Sequence, residues 1–389
     1  MIQGRIIVCI ASAWDYAPTG KHHIMRCLAE HNDIVWVEYH GTRRPSVTGS
    51  DLRAAWSAVR RFARGARRIG PSFMQITPLV LPAPRGRRLG QLNGMLLARQ
   101  IRRAVRALSE YESKPIQVWS FAPDVPHLVG RLKEECFIYY CVDEYSEFED
   151  LDADRIRAAE CELLDRADVV LTASEPLWQA KRRRRADAVL ARHGVDFEHF
   201  ASAWRYKLDP PADIVSVPKP ILGFFGLIHH WIDTSLLVAV ARLRPAYSFV
   251  LLGDCRAENS ALRQQPNVYL LGRRPYADLP RYCATFRAAL LPFGRNAMTR
   301  HINPIKMYEY LAAGLPVVST PLPEAERYRG PIRIAETAEG FAKACDEALA
   351  AADAGGREAV SRVVEHESWP SKVETLSQVV MQRSVHKQT

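Results

Sequence analysis

The chain has 389 residues, of which 48% are hydrophobic and 25% charged, and its formal net charge is +10 at pH 7. This length exceeds one ordinary hydrophobic core and suits two α/β domains, while no apolar stretch approaches the roughly 20 residues that cross a bilayer. The eight cysteines are scattered without paired spacing, which favours reduced thiols in a cytoplasmic protein and excludes a metal-binding cysteine pattern.

The opening residues predict a parallel α/β domain. Arg5–Ala11 is an apolar run of strand length, and Ile34–Tyr39 reads as a second strand after a loop and a helical pattern. The loop holds Asp15, and Gly20 and Lys21 open the helix. Because a loop after a parallel strand faces the ligand-binding edge of the sheet, we expect these three residues to contact an acceptor, with Gly20 and Lys21 placed for an acceptor phosphate.

The positive charge is concentrated in residues 43–109, which contain fifteen arginines and one acid. One sign of charge without the other indicates an anionic partner, although a solubilising surface remains the plain alternative. Apolar residues from Leu52 to Ala66 recur at helical spacing among arginines, which predicts either a helix at an acidic membrane surface or an ordinary domain helix. Nucleic acid is disfavoured because aromatic residues are not interleaved with the arginines.

Strands and helices alternate along the rest of the chain. In the first half, strands are predicted at Ile116–Phe121, Phe137–Val142 and Val169–Thr172, and helices at Val125–Lys133, Asp154–Asp165 and after Ser174. In the second half, strands are predicted at Ile221–Phe225, Ser248–Leu252, Val268–Leu271, Ala288–Leu291 and Pro316–Ser319. The basic run Lys181–Arg185 is interpreted as a solvated helix end.

These elements define the predicted domains. We expect an N-terminal acceptor domain over 1–199 that includes the basic segment 43–109, and an aperiodic linker over 200–219. A C-terminal domain follows over 220–365, and a helix over 366–389 packs back across the domains. Phosphate-loop and dinucleotide glycine patterns are absent, which weighs against nucleotide hydrolysis and redox chemistry.

The segment from Asn303 to Thr320 is the most informative about chemistry. Pro304 suits the first turn of a helix, whose unpaired N–H groups and positive dipole end favour a diphosphate. Lys306 lies in that first turn and can contact the same phosphates, and Glu309 lies one turn further on, within reach of a ribose diol. The plain alternative is a connection between helix and strand with a charged first turn.

This segment carries a family resemblance together with four others: Gly223-Phe224-Phe225-Gly226, Leu251-Leu252-Gly253, Asn267–Gly272 and Leu290–Phe293. The set resembles the C-terminal domain of GT-B glycosyltransferases of the family-4-like group (glycosyl transferases group 1), including bacterial exopolysaccharide glucuronosyltransferase-like enzymes. The resemblance implies a GT-B fold of two facing Rossmann-like domains with a cleft between them. It also implies that Lys306 contacts the donor diphosphate, that Glu309 contacts the ribose, and that Gly223 and Gly226 let a loop approach the donor.

The chain departs from the family pattern at two places. The family's first glutamate, eight residues before the second, is His301 here, which leaves the donor sugar and the stereochemical outcome open. The basic pair after the glycine loop is replaced by His229-His230-Trp231. For His230 two interpretations stay open, contact with a ligand or an ordinary surface residue. Further candidates for donor contact, some of which would supply the missing positive charge, are Arg273, Arg295, Thr299, Arg300 and Asn303.

In the first domain, Asp143 and Glu144 follow a buried strand at its carboxyl end. A general base at this edge would deprotonate an acceptor hydroxyl, and family members carry a catalytic His or Asp at the corresponding place. Asp143 is our first candidate and Glu144 the second, and capping or pairing with an arginine is the alternative. The Asp150-x-Asp152 pattern resembles a metal site, but it reads as a helix start, so we predict no metal.

Together these inferences predict a metal-independent, cofactor-free glycosyltransferase. It would move a sugar from a nucleotide-diphosphate sugar, in our expectation UDP-linked, to a hydroxyl of a lipid-linked or polysaccharide acceptor during cell-envelope or exopolysaccharide synthesis. It would be cytoplasmic and bind the anionic inner face of the cell membrane. The alternative is a non-catalytic GT-B-fold subunit that binds a nucleotide sugar or a partner transferase.

Overall fold

A computed structural model describes residues 1–15, 18–42, 65–81, 86–108, 114–256, 260–354 and 356–385. The chain divides into two compact units, Met1–Arg192 with Lys372–Thr389, and His193–Ser371. The helix predicted from Leu52 lies outside the described residues up to residue 64, so its character stays a prediction.

The first unit is built on one sheet whose strands are β1 (Ile6–Ala11), β2 (Asp33–Glu38), β3 (Arg67–Gly70), β4 (Phe73–Ile76), β5 (Ile116–Ser120), β6 (Cys136–Cys141), β7 (Val169–Thr172) and β8 (Val189–Leu190). Their order is β3-β4-β2-β1-β5-β6-β7-β8. All neighbours are parallel except β3 and β4. Every residue of β1 and β6 is buried, as expected for parallel strands with both faces covered.

The helices of the first unit before residue 192 are α1 (Gly20–Ala29), α2 (Arg87–Leu108), α3 (Ala153–Arg166) and α4 (Glu175–Lys181). The Ser174 hydroxyl accepts a hydrogen bond from Leu177 N at 3.3 Å and caps α4 as predicted. Asp152 likewise caps α3 by accepting from Arg155 N, which confirms the helix-start interpretation of the Asp150-x-Asp152 pattern.

One local prediction in this unit is wrong, and one pair of strands was not predicted. The helix expected over Val125–Lys133 is only a 3₁₀ turn at Pro126–Leu128, because Gly130 and Lys133 both adopt positive φ and end the helical path. The antiparallel pair β3–β4 was not predicted, because β3 contains the exposed Arg67 and Arg68 and lacks the alternation of apolar and polar residues that is typical of a strand.

The second unit carries a purely parallel sheet of β9 (Ile221–Phe225), β10 (Ser248–Leu252), β11 (Val268–Gly272), β12 (Ala288–Leu291), β13 (Val317–Ser319) and β14 (Ile332–Ile334). Their order is β11-β10-β9-β12-β13-β14. This is the 3-2-1-4-5-6 order of a Rossmann sheet, and the chain reverses its direction of travel between β9 and β12. The five strands predicted here are confirmed, and β14 is additional.

The helices that follow are α5 (Phe197–Arg205), α6 (Thr234–Leu243), α7 (Ser260–Arg263), α8 (Leu279–Thr285), α9 (Ala297–Arg300), α10 (Ile305–Ala312), α11 (Ala338–Ala354), α12 (Arg357–Arg362) and α13 (Trp369–Val385). The segment 200–219, expected to lack periodic structure, therefore begins inside α5, whose Phe200 is fully buried. Among all described helices, none combines the length and apolar character needed to cross a membrane.

Gly223 provides a test of the second core. It lies in the buried strand β9, where an added β-carbon would overlap the ring of Phe286. We expect Gly223→Ala to lower the free energy of unfolding by about 1–3 kcal/mol in urea denaturation, the cost of overpacking a filled core.

Gly356→Ala is the matched control, because a β-carbon there meets no atom within 4 Å. Equal stability of the two variants would contradict the packing described for Gly223.

Candidate active site

The candidate donor site lies at the carboxyl edge of the second sheet. Ligands of such sheets bind where neighbouring strands leave in opposite directions, which here is between β9 and β12. Gly226 follows β9 directly, and α10 begins close by after the loop that leaves β12. The Tyr310 hydroxyl of α10 accepts a hydrogen bond from Phe225 N at 2.9 Å, which fixes this helix against the end of β9.

Lys306 and Gly226 are in direct contact. A β-carbon on Gly226 would overlap the Cε atom of Lys306 and lie 2.7 Å from its Nζ, and the φ of Gly226 is +134°. Both facts require glycine at this position. Gly253, with φ of +142°, repeats the arrangement, since a β-carbon there would overlap the carbonyl oxygen of Gly226. Gly226 therefore leaves room for the lysine side chain, and Gly253 leaves room for the backbone of Gly226.

Glu309 lies one turn after Lys306 and is 5% exposed. Burial raises the pKa of its carboxyl to about 7, while Lys306 lowers it, Asp196 raises it and a hydrogen bond from the Tyr276 side chain lowers it. Burial also lowers the pKa of Lys306, against the opposing influence of Glu309. The two side chains thus form a desolvated pair whose charges are tuned by each other, which is common at functional sites.

Tyr276 is positioned by the first turn of α5. Its ring stacks on His199 with centroids 4.8 Å apart, and His199 Nε2 lies 3.1 Å from the Tyr276 carbonyl oxygen. Asp196 and Tyr276 were not predicted to lie near Glu309, nor His199 to lie against Tyr276. Their positions in the chain carry no spacing signal, because they reach Glu309 only through the fold.

Three of the predicted donor-binding residues lie between β12 and α10, and each contacts another residue of the second unit. The Thr299 hydroxyl donates to Gly294 O at 2.5 Å and accepts from Asn296 N at 3.1 Å, so it shapes the loop. Arg295 forms an exposed ion pair with Glu336. His301 Nδ1 lies 2.8 Å from Ala297 O, at the end of α9. Donor contact by these side chains stays a prediction.

The other predicted donor residues are placed differently. Asn303 is buried two residues before α10 and three residues before Lys306. Gly223 lies inside β9, and its contact with Phe286 accounts for the missing side chain without a ligand. His230 is exposed and packs edge-on against Trp231, and Arg273 is exposed after β11.

In the first unit, Asp143 and Lys21 form the counterpart of this pair. Both lie at the carboxyl edge of the first sheet, Lys21 in the first turn of α1 and Asp143 just after β6. Burial raises the pKa of Asp143 to about 6, with Lys21 lowering it and Glu144 raising it. Burial lowers the pKa of Lys21, against Cys9 and Asp143. The structure therefore brings together an acceptor candidate and the base candidate.

Glu144 occupies a different environment from Asp143. Lys181 Nζ donates to Glu144 Oε2 at 2.7 Å and to Glu160 Oε2 at 2.8 Å, and Tyr139 donates to Glu160 Oε1 at 2.6 Å. Lys181 is 7% exposed, so its interpretation as part of a solvated face is wrong. Glu144 is thus ion-paired with the buried Lys181, and Asp143 is the better candidate for the general base.

The remaining acceptor candidates are Asp15, in the loop after β1, and Gly20, at the start of α1. Asp15 is exposed in a turn, and Gly20 is buried at the start of α1. Thr19 N donates to His22 Nδ1 at 3.1 Å, which fixes this first turn. Within the described ranges, no three His, Cys, Asp or Glu side chains are grouped as a metal ion would require.

Comparison with known proteins agrees with this geometry. Residues 219–351 match the family described as glycosyl transferases group 1, so this part of the chain is a domain of that family, as the resemblance predicted. Over 257 residues the chain is 26% identical to a putative teichuronic acid biosynthesis glycosyltransferase, TuaH, of Bacillus subtilis. That alignment covers 60% of this chain, and the chain spans 63% of the length of this curated relative.

Solved structures show the same fold. HepE of Anabaena, in complex with UDP, superposes with a TM-score of 0.64 at 14% identity, covering 97% of this chain and 100% of that one. Sucrose-phosphate synthase of Thermosynechococcus elongatus gives a TM-score of 0.66 at 16% identity, covering 97% of this chain and 98% of that one. The predicted GT-B fold with two parallel α/β domains is confirmed.

Asp143 provides a test of the site's electrostatics. Burial raises its pKa in the folded state to about 6, above the ordinary value for an aspartate, so folding favours the protonated form. This carboxyl therefore does not reduce the free energy of unfolding below about pH 4, and its destabilising effect grows as the pH rises through 6. We expect Asp143→Asn to be more stable than wild type by about 1–3 kcal/mol at pH 7.5 and equally stable at pH 4, in urea denaturation.

Asp15→Asn is the control, since Asp15 is an exposed carboxylate on the same edge. A stability difference for Asp143→Asn that is the same at both pH values would argue against a raised pKa.

Proposed function

We propose that this chain, whose residues 219–351 form a glycosyl transferases group 1 domain, transfers a sugar from a UDP-linked donor to a hydroxyl group. The acceptor in this proposal is a lipid-linked or polysaccharide molecule of cell-envelope or exopolysaccharide synthesis. The similarity to a putative teichuronic acid biosynthesis glycosyltransferase supports this acceptor class. The UDP in the complex of HepE, which shares the fold, supports the choice of nucleotide.

The contact between Lys306 and Gly226 carries the proposal. It places an ammonium group at the carboxyl edge of a Rossmann sheet, next to the start of α10. There the helix dipole and Lys306 would neutralise the negative charge that develops on the leaving diphosphate. This is the role that a metal ion plays in other transferases, so we propose that the reaction needs none. Glu309 would accept hydrogen bonds from the ribose hydroxyls.

Asp143 is proposed as the general base of an inverting reaction. Its pKa of about 6 suits a group that accepts a proton from an acceptor hydroxyl near neutral pH. Lys21 beside it, in the first turn of α1, would hold a phosphate of the acceptor. If the reaction retains configuration, Asp143 does not act as the base, and the leaving phosphate takes the proton of the acceptor hydroxyl.

A membrane-facing surface is proposed on α2, within the basic segment 43–109. Leu89, Leu92 and Met95 of α2 are 44%, 39% and 48% exposed, and Leu79 beside the helix is 56% exposed. The side chain of Gln100 holds this neighbouring segment on α2 by hydrogen bonds to Leu79 N at 2.8 Å and Leu79 O at 2.9 Å. Exposed arginines flank the apolar residues on the same helix: Arg88, Arg99, Arg102 and Arg106. Apolar side chains ringed by arginines suit the inner face of an anionic membrane.

His301 favours the second candidate function, a non-catalytic subunit that binds a nucleotide sugar or a partner transferase. It stands where the family's first glutamate would contact the transferred sugar, and its ring hydrogen-bonds within α9. Turnover separates the two functions. Hydrolysis of one or more members of a UDP-sugar panel by wild type, reduced about 100-fold or more in Asp143→Asn, supports an inverting enzyme. UDP binding without hydrolysis of any donor supports the subunit.

The donor site is tested by the binding of UDP to Lys306→Ala. We expect the dissociation constant, measured by titration calorimetry, to rise about tenfold or more, because a charge-assisted contact to the diphosphate is lost. Lys343→Ala is the matched control, since Lys343 is a highly exposed lysine of the same domain. Equal UDP affinity of the two variants would exclude Lys306 from the site.

The membrane surface is tested by replacing Leu92 and Met95 with glutamine. We expect the double variant to lose about tenfold or more of its binding to vesicles of anionic phosphatidylglycerol, because two partly exposed apolar side chains no longer enter the interface. Leu243→Gln is the control, with an equally exposed leucine in the second unit. Unchanged cosedimentation of the double variant would remove α2 from the membrane contact.

A further inference from the structure

A polar pocket opens in the first unit between the start of α2, the 3₁₀ turn at Pro126–Leu128 and the end of α3. Its volume is about 290 Å³, and it is lined by Arg87, Gln91, His127, Arg131, Glu162 and Arg166. From the first residue of α3 to Glu162 the helix rises about 14 Å. The pocket therefore lies at the opposite end of α3 from the loop that carries Asp143.

Two glycines build one wall of this pocket. A β-carbon on Gly90 would overlap the imidazole ring of His127, and one on Gly94 would lie 2.5 Å from the His127 carbonyl oxygen. The turn that carries His127 is thereby seated directly on α2. Arg131 Nε donates to the same carbonyl oxygen at 2.6 Å, so His127 and Arg131 are held in place together. Two of the six lining residues, His127 and Arg131, are thus fixed by packing and hydrogen bonding.

The pocket is strongly basic. Three arginines against one glutamate leave a formal charge of +2 with His127 neutral. Burial lowers the pKa of His127, Glu162 raises it, and Arg166, Arg131 and Arg87 lower it further, so all four side chains act on the same small space. Glu162 is already engaged, because Arg166 donates to it at 3.2 Å and His127 Nδ1 lies 3.6 Å from it. One carboxylate cannot balance the three guanidinium groups.

We propose that this pocket binds a phosphate monoester. Guanidinium groups match phosphate oxygens by paired hydrogen bonds, and three of them can address a group with three terminal oxygens from different sides. Gln91 and a neutral His127 add donors without adding charge. The volume suits a phosphate with a short stem and is small for a nucleotide sugar.

The phosphate can come from a soluble ester or from the headgroup of a phospholipid. Gln91 lines the pocket on α2, and Met95, 48% exposed, lies four residues later on the same face of the helix. A headgroup in the pocket would therefore have its acyl chains close to an apolar surface. Both sources share the same terminal phosphate chemistry, and binding assays distinguish them.

The test compares Arg87→Ala with Arg88→Ala in the full chain. The two arginines are adjacent and exposed and carry the same charge, but only Arg87 lines the pocket. Glycerol 3-phosphate binding is measured by titration calorimetry, and cosedimentation is measured with vesicles of phosphatidic acid or phosphatidylglycerol at equal surface charge. We expect Arg87→Ala to reduce the affinity for glycerol 3-phosphate, or the preference for phosphatidic acid over phosphatidylglycerol, about tenfold or more, and Arg88→Ala to change either less than threefold. Arg88 flanks the apolar residues of α2, so its loss weakens binding to both vesicle types alike and leaves the preference unchanged.

A selective loss of glycerol 3-phosphate binding in Arg87→Ala supports the pocket with a soluble ligand. A selective loss of phosphatidic acid binding, without affinity for glycerol 3-phosphate, supports it with a lipid headgroup. Equal losses in the two variants overturn the proposal. It is also overturned if the wild type neither binds glycerol 3-phosphate nor prefers phosphatidic acid over phosphatidylglycerol. Thermal unfolding of both variants at the wild-type temperature shows that the comparison is made on folded protein.

Discussion

The side chain of Lys306 occupies the space that a β-carbon on residue 226 would need, and the edge of the second sheet is arranged around this contact. Gly226 N in turn donates to Leu252 O at 2.8 Å, and Gly253 N donates to Gly272 O at 2.8 Å, so the ends of β9, β10 and β11 are tied together. Tyr310 fixes α10 to the end of β9 through Phe225 N. The position of the Lys306 side chain therefore depends on Gly226 and Gly253, on the ends of β9, β10 and β11, and on α10.

Both units place a desolvated lysine and a carboxylate at the carboxyl edge of a parallel sheet. In the second unit the pair is Lys306 and Glu309, and in the first it is Lys21 and Asp143. Burial shifts each pKa toward the neutral form, which costs folding free energy, and a bound phosphate or a proton in transit would recover part of that cost. The buried Lys181 network differs, because one lysine serves two carboxylates and supports the fold beside Asp143.

Sequence reasoning predicted the features that depend on local pattern. Apolar runs located the central strands, Ser174 was predicted as a helix cap and the Asp150-x-Asp152 pattern as a helix start, and the position of Lys306 in the first turn of α10 followed from the proline before it. The features it missed depend on tertiary contact. The burial of Lys181 results from Glu144 and Glu160, which lie far from it in the chain, and the surroundings of Glu309 come from the segment before α5 and the turn after β11. Gly223 was predicted to let a loop approach the donor, and the ring of Phe286 packed against it gives a second reason for glycine that the sequence does not show.

The central claim is that the start of α10 and Lys306 hold a nucleotide by its diphosphate. Titration calorimetry of the wild-type chain with uridine, UMP and UDP tests this most directly, because the three ligands differ only in their phosphates. The account predicts that UDP binds about tenfold or more tightly than UMP, and UMP more tightly than uridine, since each charge-assisted phosphate contact contributes on the order of 1.5 kcal/mol or more. Equal affinities for UMP and UDP would contradict it.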